Sequence, residues 1–419
     1  MLPFAVKLLL TSADISCIMV FGKTRNTSVC RRENRMRKLN QERLEKTLRE
    51  RLAWEIAECR VSAAHLLVLQ DGQEVVSIRE GFQNLETQEP LRQDAIYRLA
   101  SMTKPVTGVA ALIAEDKGYF NIHDKLEDHM PEFADMYIAK MEDGKVVPGE
   151  KSKTPLRIYQ LLSHCNGMMA EVPIGNLITD ATPKAAYQSL ETIARHTATQ
   201  PLAFEPETYC AYTGRVSFDV VARLIELKSG MTYAEFLKQN VFDPLGLKDF
   251  TYHPTDAQWE RMLPLTDRTD GKTCVTVNMG KHTFEGVPLT YTSAGAGLAA
   301  SMADYAVFGE MLRNGGTYKG VQIFSPERMQ EYTHPYVAPG VPGRDPISSW
   351  GLGVQVKVQD SVLPAGAFGW SGAYGTHFWV DPVNQITAIY MRGSRWYDSH
   401  GCGNIGWQFE KDVMNCLED

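Results

Sequence analysis

Ser101 and Lys104 lie three residues apart in the stretch Ser101-Met102-Thr103-Lys104, directly before an apolar helical pattern. Residues i and i+3 of a helix are neighbours, so the amine of Lys104 can approach the hydroxyl of Ser101. The start of a helix also offers unpaired N–H groups and the positive end of the helix dipole. A buried lysine can lose its charge and act as a base. The spacing predicts a serine nucleophile, although a serine cap followed by a solvated lysine would give the same letters.

The residues after Lys104 predict one helix that belongs to the core. Proline in the first turn, an apolar stripe and a closing glycine are typical of a helix of this kind. The residues concerned are Pro105, Val106, Val109, Ala110, Leu112, Ile113 and Gly118.

Three further segments could complete a site around Ser101. A proline-led loop, 204–214, carries Tyr209 and Tyr212, and a tyrosine on such a loop can reach into a cleft. We take Tyr212 as the candidate and Tyr209 as its alternative. Glycines in the segment 369–375 let its backbone approach a ligand closely. The small residues of 293–298 suit close packing beside a site.

Four motifs together resemble the serine β-lactamase and penicillin-binding-protein-like superfamily, most closely its esterase and class C-like branch. The resemblance runs from about Ala63 to the C-terminus. Separate motifs in the order of a family rarely arise by chance. They are S-M-T-K at 101–104, L-L-S-H-C-N-G-M at 161–168, P-E-T-Y-C-A-Y-T-G at 206–214 and W-S-G at 370–372.

Two departures from the family pattern bear on the substrate. The second motif of the family is usually Tyr-x-Asn, whereas Tyr212 is followed by Thr213 and Gly214, so the substrate-positioning amide is missing. True β-lactamases carry Lys-Thr-Gly as the third motif, and its lysine attracts the carboxylate of the antibiotic. Trp370 stands in that place here. An indole cannot replace the charge, and tryptophan at this position resembles the esterase branch.

The chemistry predicted for these residues is acyl transfer through Ser101. An unactivated serine is a poor nucleophile near neutral pH and needs an adjacent base. A neutral Lys104 could deprotonate Ser101 directly; alternatively, a charged Lys104 could favour a tyrosinate at Tyr212, which would then be the base. Ser101 would form an acyl-enzyme that water or an alcohol releases.

The oxyanion of the tetrahedral intermediate needs hydrogen-bond donors. By analogy with the family, these are the backbone N–H groups of Ser101 and Ala373, with Gly372 allowing the approach. Ser371 and Trp370 complete the predicted substrate-binding segment. We interpret His164 and Asn166 as structural turn residues, and His377 either as a site-facing or as a satisfied strand histidine. Cys165 and Cys210 read as small apolar packing groups.

Composition describes an ordinary globular chain of 419 residues, 44% hydrophobic and 22% charged, with no run that approaches a membrane span. Residues 1–38 carry eight basic and two acidic side chains, which leaves 35 basic and 48 acidic side chains elsewhere. An acidic body argues against nucleic-acid binding. The motifs G-x-S-x-G, H-E-x-x-H, G-x-x-x-x-G-K and C-x-x-C are absent, so no metal, nucleotide or other cofactor is implied. We expect a small ester or amide as the partner, without membrane binding.

Residues 1–37 are predicted to be a leader outside the fold. The segment 1–21 is fairly apolar but is interrupted by Asp14 and shows no clear cleavage site for a secretory signal. Alternatively the true start is Met36. The eight cysteines have no paired spacing, so they are expected to be free thiols in a reducing cytoplasm.

The elements predict an α+β fold, an antiparallel β-sheet flanked by helices, in a catalytic domain over 38–419. The family resemblance implies that this fold is β-lactamase/transpeptidase-like. An opening helix at about 38–58 leads into strands at 65–69, 74–79 and 95–99. Helices and loops follow from about 120 to 290 as an inserted, mostly helical subdomain. Strands at 351–358, 376–380 and 386–391 then complete the sheet, and a helix near 405–416 closes the chain. The helical pieces of the subdomain are expected at 126–133, 158–162, 185–194, 218–227 and 233–239.

Two classes of function fit this chain. The favoured one is a serine hydrolase, a carboxylesterase acting on small esters; a β-lactamase, a D-amino-acid peptidase or an acyl transferase is a variant using the same acyl-enzyme. The other class is a non-catalytic binding protein on the same fold. Intact Ser101, Lys104 and Tyr212 favour an enzyme.

Overall fold

The computed structural model describes residues 36–268, 274–277, 283–284, 287–288, 290–394 and 405–418. Nearly all of the predicted leader lies outside these residues. The α-helices, numbered α1 to α12 in chain order, are Gln41–Ala57, Lys104–Asp116, Ile158–Leu162, Pro173–Ala181, Leu190–Ala198, Val216–Ser229, Tyr233–Leu237, Asp243–Leu245, Asp256–Arg261, Met302–Arg313, Pro326–Tyr332 and Ile405–Met414.

The strands of the largest sheet come from the two ends of the chain. All strands are numbered β1 to β20 in the same way. They are Lys38–Leu39, Ala63–Gln70, Gln73–Asn84, Glu89–Pro90, Ile96–Arg98, Tyr137–Glu142, Lys145–Lys151, Leu265–Arg268, Cys274–Val277, Thr283–Phe284, Val287–Pro288, Ala299–Ser301, Thr317–Tyr318, Val321–Gln322, Ser348–Trp350, Gln355–Lys357, Phe368–Ser371, His377–Asp381, Ile386–Arg392 and Leu417–Glu418.

One antiparallel sheet of eight strands organises the molecule. Its order is β15-β16-β17-β18-β19-β2-β3-β4, so the C-terminal strands join the N-terminal strands where β19 pairs with β2. Strands close to each other in sequence form hairpins, whereas the β19–β2 pair closes a separation of more than 300 residues. The predicted α+β fold, with its sheet completed from the C-terminal end, is confirmed.

Helices cover both faces of the sheet, and side-chain alternation along each strand decides which core a residue enters. On one face α2 and α10 pack in a core that includes Val106, Phe308 and Phe378. On the other face α1 and α12 pack in a second core that includes Trp379 and Phe409. Neighbouring residues Phe378 and Trp379 of β18 therefore belong to opposite faces. We call these the α2 face and the α12 face.

Several predicted elements need correction. The strand expected over 351–358 is broken, because residues 351–354 turn between β15 and β16 and Gly353 has a φ of +78°. The helix expected over 185–194 is two pieces, since Ser189 caps α5 by accepting a hydrogen bond from the Thr192 N–H. The helix expected over 126–133 is two 3-10 turns, Leu126–Asp128 and Pro131–Phe133.

The block expected to be helix and loop also contains the β6–β7 hairpin. Its two-residue turn, Asp143-Gly144, has positive φ at both positions, as a tight hairpin turn requires. The strands preceding and following that turn are largely exposed and mix polar with apolar residues. They lack the apolar alternation by which a strand is recognised in a sequence.

Gly108 lets α2 lie directly against the turn at 351–354. A Cβ atom at Gly108 would lie 1.9 Å from the backbone oxygen of Leu352, whereas one at Gly309 of α10 would meet the Thr387 methyl at 2.8 Å. We expect Gly108→Ala to lower the free energy of unfolding by about 3 kcal/mol or more, because backbone must move. Gly309→Ala, the matched helical control, should cost less, since a side chain can adjust. Urea denaturation of both variants measures the difference, and equal costs would contradict this close approach.

Candidate active site

Ser101 lies in a 3-10 turn, Ala100–Thr103, that links β5 to α2. Ala100 has a φ of +46°, a left-handed conformation that costs a non-glycine residue about 1 kcal/mol. The turn is held from behind, because Tyr305 donates a hydrogen bond to the Met102 carbonyl at 3.0 Å. Strand β12 pairs with β5 and brings segment 293–298 alongside. The predicted close packing of that segment beside Ser101 is confirmed.

Lys104 is the first residue of α2, and its side chain is fully buried. Its Nζ lies 2.6 Å from the Gly214 carbonyl oxygen, 2.9 Å from the Gly295 carbonyl oxygen and 3.2 Å from Ser101 Oγ. Burial lowers the pKa of Lys104 to about 7, against a smaller opposing effect of the Asp219 carboxylate. A neutral amine has two N–H groups and one lone pair. In this neutral form the two carbonyls accept from both N–H groups, and the lone pair then faces Ser101.

Tyr212 completes the group of three side chains. Lys104 Nζ lies 4.7 Å from the centre of the Tyr212 ring, and the ring also packs on His164 at 4.6 Å between centroids. Trp370 donates a hydrogen bond from its indole N–H to the Tyr212 hydroxyl at 3.2 Å. The alternative candidate, Tyr209, is partly exposed and packs on Phe204. The structure therefore brings Ser101, Lys104 and Tyr212 together.

His164 and Asn166 shape the turn beneath Tyr212. His164 has a φ of +61°, and its Nδ1 accepts a hydrogen bond from the Thr213 N–H at 3.0 Å. Burial lowers the pKa of His164 well below its ordinary value, which keeps the ring neutral. Asn166 accepts from the Met168 N–H at 2.8 Å. Both residues hold backbone, as expected of structural turn residues.

Asp219 is a site residue that the sequence analysis missed. It is fully buried on α6, where it accepts hydrogen bonds from the Ala294 N–H at 2.7 Å and from the Tyr291 hydroxyl. Burial raises the pKa of Asp219 to about 6. By holding Ala294 it positions the Gly295 carbonyl that faces Lys104. An aspartate within the apolar pattern of α6 was the available signal.

The W-S-G segment reaches Ser101 through a glycine. A Cβ atom at Gly372 would lie 2.2 Å from the Leu99 carbonyl oxygen and 2.2 Å from Thr376 Oγ1. Thr376 donates its hydroxyl hydrogen to the same carbonyl at 3.0 Å. These contacts hold the β17–β18 turn against Leu99, which precedes Ser101 by two residues in the chain. Ala373, the residue after Gly372, consequently lines the same cavity as Ser101.

Trp370 and Ser371 point to opposite faces of β17. Trp370 pairs with Phe378, whose ring belongs to the core of the α2 face, and it also contacts Trp350 at 4.4 Å between ring centroids. Ser371 pairs with His377, and its hydroxyl lies 2.8 Å from His377 Nδ1. The structure thus places Trp370 beside Tyr212 and directs Ser371 towards the α12 face. His377 is a hydrogen-bonded strand histidine that also lines a cavity.

Two cavities meet at Ser101. The strand-side cavity, of about 410 Å³, extends along β17 and has mainly apolar walls; besides the shared residues its lining includes Leu363, Trp370, Ser371, His377, Trp407 and Glu410. The loop-side cavity, of about 600 Å³, is more polar; its lining includes Met169, Asn176, Tyr187, Arg215, Ala296 and Tyr374. Both cavities are lined by Ser101, Glu171, Tyr212 and Ala373. A substrate bound at Ser101 therefore has space on both sides.

Comparisons with known proteins agree with this fold. The fold and the serine–lysine–tyrosine group define the class of β-lactamase- and transpeptidase-like proteins. The Beta-lactamase family model matches residues 42–392, and the chain belongs to that family. Family membership supports a serine hydrolase, as the resemblance of the motifs implies.

Among relatives, Esterase EstB of Burkholderia gladioli is 25% identical over 377 residues, which cover 83% of this chain and 89% of EstB. Among solved structures, EstCE1, a hydrolase with promiscuous acyltransferase activity, superposes with a TM-score of 0.72 at 20% identity and covers 90% of this chain and 98% of its own. Simvastatin synthase (LovD) from Aspergillus terreus superposes with a TM-score of 0.72 at 15% identity. The superposition covers 88% of this chain and 98% of the synthase. Both structural likenesses concern the fold.

The structure also bears on the predicted packing of two cysteines and on the predicted absence of a membrane span. Cys165 and Cys210 are free thiols, buried together with Val337 and Trp350, in keeping with apolar packing. Within the ranges that the structure describes, no helix combines the length and the apolar character that crossing a bilayer requires. The predicted cytoplasmic location remains a prediction.

Burial of the Lys104 amine should appear as a pH-dependent stability. Its folded pKa of about 7 lies below the ordinary 10.5, so protonation favours the unfolded chain. The loss of folding stability caused by this burial is absent above about pH 10, grows as the pH falls, and is constant below about pH 7. Relative to Lys104→Met, the unfolding free energy of the wild type should therefore rise by about 1.4 kcal/mol per pH unit from pH 7 to 10. Urea denaturation of both proteins measures this, and a constant difference would refute the lowered pKa.

Proposed function

We propose that this protein is a serine acyl hydrolase, a carboxylesterase that acts on small esters through an acyl-enzyme on Ser101. The observation that carries the proposal is the triple contact of Lys104 Nζ with Ser101 Oγ and two backbone carbonyls. It supplies a nucleophile and, within hydrogen-bonding distance of it, a buried amine whose pKa of about 7 lets it act as a base. A binding protein would have no need of a destabilising buried amine.

In the proposed mechanism Lys104 is the base for acylation. Its lone pair takes the Ser101 proton as Oγ bonds to the ester carbonyl carbon, and this choice follows from its pKa of about 7. The N–H groups of Ser101 and Ala373 donate to the oxyanion, and each such donor contributes about 3 kcal/mol of barrier lowering. The alcohol then leaves with a proton that passes from Lys104 by way of the Tyr212 hydroxyl. Water reverses these steps and frees the acid.

The two cavities give the ester a place for each of its parts. With its carbonyl carbon at Ser101, the acyl group and the alcohol occupy the two cavities that meet there. Their volumes, of about 410 and 600 Å³, suit small molecules. An alcohol in place of water would make the protein an acyl transferase by the same steps, and the name of EstCE1 records both activities for that protein.

Trp370 favours esters over β-lactams. Where β-lactamases hold the antibiotic carboxylate with a lysine, Trp370 presents a neutral N–H that already donates to Tyr212. A β-lactam would bring a carboxylate to this place and desolvate it without a charged partner, which is costly. We therefore place β-lactamase and D-amino-acid peptidase activity second.

Turnover of a short-chain nitrophenyl ester and of a chromogenic cephalosporin tests this proposal. We expect the ester to be preferred, and Ser101→Ala to lower ester kcat/KM by at least about 1000-fold. An acyl adduct on the Ser101 peptide of the wild type, identified by mass spectrometry, should accompany turnover. Ser361→Ala, an exposed serine outside the site, is the control and should keep full activity. Preference for the cephalosporin, or an unchanged rate in Ser101→Ala, would refute the assignment.

The acid limb of the pH profile tests the role of Lys104. Because the base must be neutral, ester kcat/KM should rise with pH through about 7. The Asp219 carboxylate raises the pKa of Lys104, so Asp219→Asn should move this limb to lower pH. Lys104→Arg, which stays charged, should lose at least about 100-fold at every pH. A limb that stays in place in Asp219→Asn would instead point to Tyr212 as the base.

A further inference from the structure

Ser371, His377 and Glu410 form a hydrogen-bonded array that the proposed mechanism does not use. Ser371 Oγ lies 2.8 Å from His377 Nδ1, and His377 Nε2 lies 3.0 Å from Glu410 Oε1. His377 and Glu410 are only 5% and 6% exposed, whereas Ser371 is half-buried. These are the contacts by which a carboxylate orients a histidine and a histidine activates a serine.

The carboxylate determines which histidine nitrogen can act as a base. Glu410 accepts hydrogen bonds, so it holds the proton of the neutral ring on Nε2. The lone pair of His377 then lies on Nδ1, opposite the Ser371 hydroxyl. Ser371 must donate its O–H hydrogen to that nitrogen, which is the starting geometry for general-base activation.

The array lies on the opposite side of β17 from Lys104. Side chains of a strand alternate, and Ser371 and His377 pair directly across β17 and β18, so both face α12. Lys104 and Tyr212 lie with Trp370 on the α2 face. Because the two groups are on different faces, the Ser371 hydroxyl is directed away from Lys104 and Tyr212.

Even so, the array is open to small molecules. Ser371, His377 and Glu410 all line the strand-side cavity, which also reaches Ser101. Trp407 of α12 is 60% exposed and lines the same cavity, as does Leu363. The wall beside Ser371 is thus apolar, which suits the hydrocarbon part of a small acyl or phosphonyl compound.

We propose that Ser371 is a second nucleophilic serine, activated by His377 and Glu410, that reacts with carboxylic esters and phosphonyl fluorides. The Ser371 proton passes to His377 Nδ1 while Oγ bonds to the acyl carbon or the phosphorus. The alcohol or fluoride leaves and takes that proton from His377. For an ester, water then attacks the acyl-serine by the reverse route and releases the acid.

A fluorophosphonate probe tests this site on the full chain, with adduct positions mapped by peptide mass spectrometry. Wild type should carry two adducts, on Ser101 and on Ser371, and Ser101→Ala should keep the Ser371 adduct. Adding His377→Gln to Ser101→Ala should slow modification of Ser371 about 100-fold. Exposed Ser361 is the control. Its hydroxyl donates a hydrogen bond to the Leu363 carbonyl at 3.1 Å, and it should stay unmodified.

An unmodified Ser371 in wild type, under conditions that saturate Ser101, would overturn the proposal, and this result does not depend on the folding of any variant. Equal modification of Ser361, or no effect of His377→Gln in a folded protein, would overturn it as well. The same peptide maps report Ser101 separately. A missing Ser101 adduct would contradict the proposed esterase mechanism, and the test of Ser371 would still be valid because its adduct is mapped independently.

Discussion

The active site depends on a lysine amine held away from water between two backbone carbonyls. The Gly214 and Gly295 oxygens would also accept from a charged amine, so hydrogen bonding alone does not make Lys104 neutral. Burial lowers the pKa of Lys104 to about 7, because the charged form must give up its hydration and the carbonyls offset only part of that cost. The Asp219 carboxylate opposes this shift, because its negative charge favours the protonated amine. An amine with a pKa near 7 can accept a proton near neutral pH, as the proposed mechanism requires.

Such burial requires distant segments of the chain to approach backbone to backbone. Gly353 lies where a Cβ atom would be 2.4 Å from the Lys104 carbonyl oxygen, and at Gly295 a Cβ atom would be 2.8 Å from Arg215 Cα. Gly372 meets the Leu99 carbonyl in the same way. Each glycine removes the side chain that would otherwise keep two segments apart. The site is therefore enclosed by main chain as well as by bulky side chains, and water is excluded from the amine.

The parts of the fold that could be predicted from the sequence are those set by residues close together in the chain. The helix of Lys104 and the sheet completed by the C-terminal strands both follow from hydrophobic periodicity and from residues that favour helix ends and turns. The break at 351–354 was not predicted, although Gly351 and Gly353 were an available signal, because the contact of this turn with α2 is visible only in the structure. Asp219 was missed for a similar reason, since its partners lie more than 70 residues away. The face of the sheet towards which Ser371 points could not be predicted, because it depends on the register of β17 against β18, which the sequence does not specify.

That register explains how one strand can serve two kinds of chemistry. Strand β16 pairs with β17 only at Phe368 and Gly369 among the described residues, so the following Trp370-Ser371 backbone forms an edge that the cavity can pass. Alternation then sends an indole towards Tyr212 and a hydroxyl towards His377. A one-residue slip would exchange these directions, leaving Tyr212 without its N–H donor and His377 without its hydroxyl. The tie of Gly372 and Thr376 to the Leu99 carbonyl prevents that slip, so the contact that positions Ala373 beside Ser101 also fixes the array on the other face.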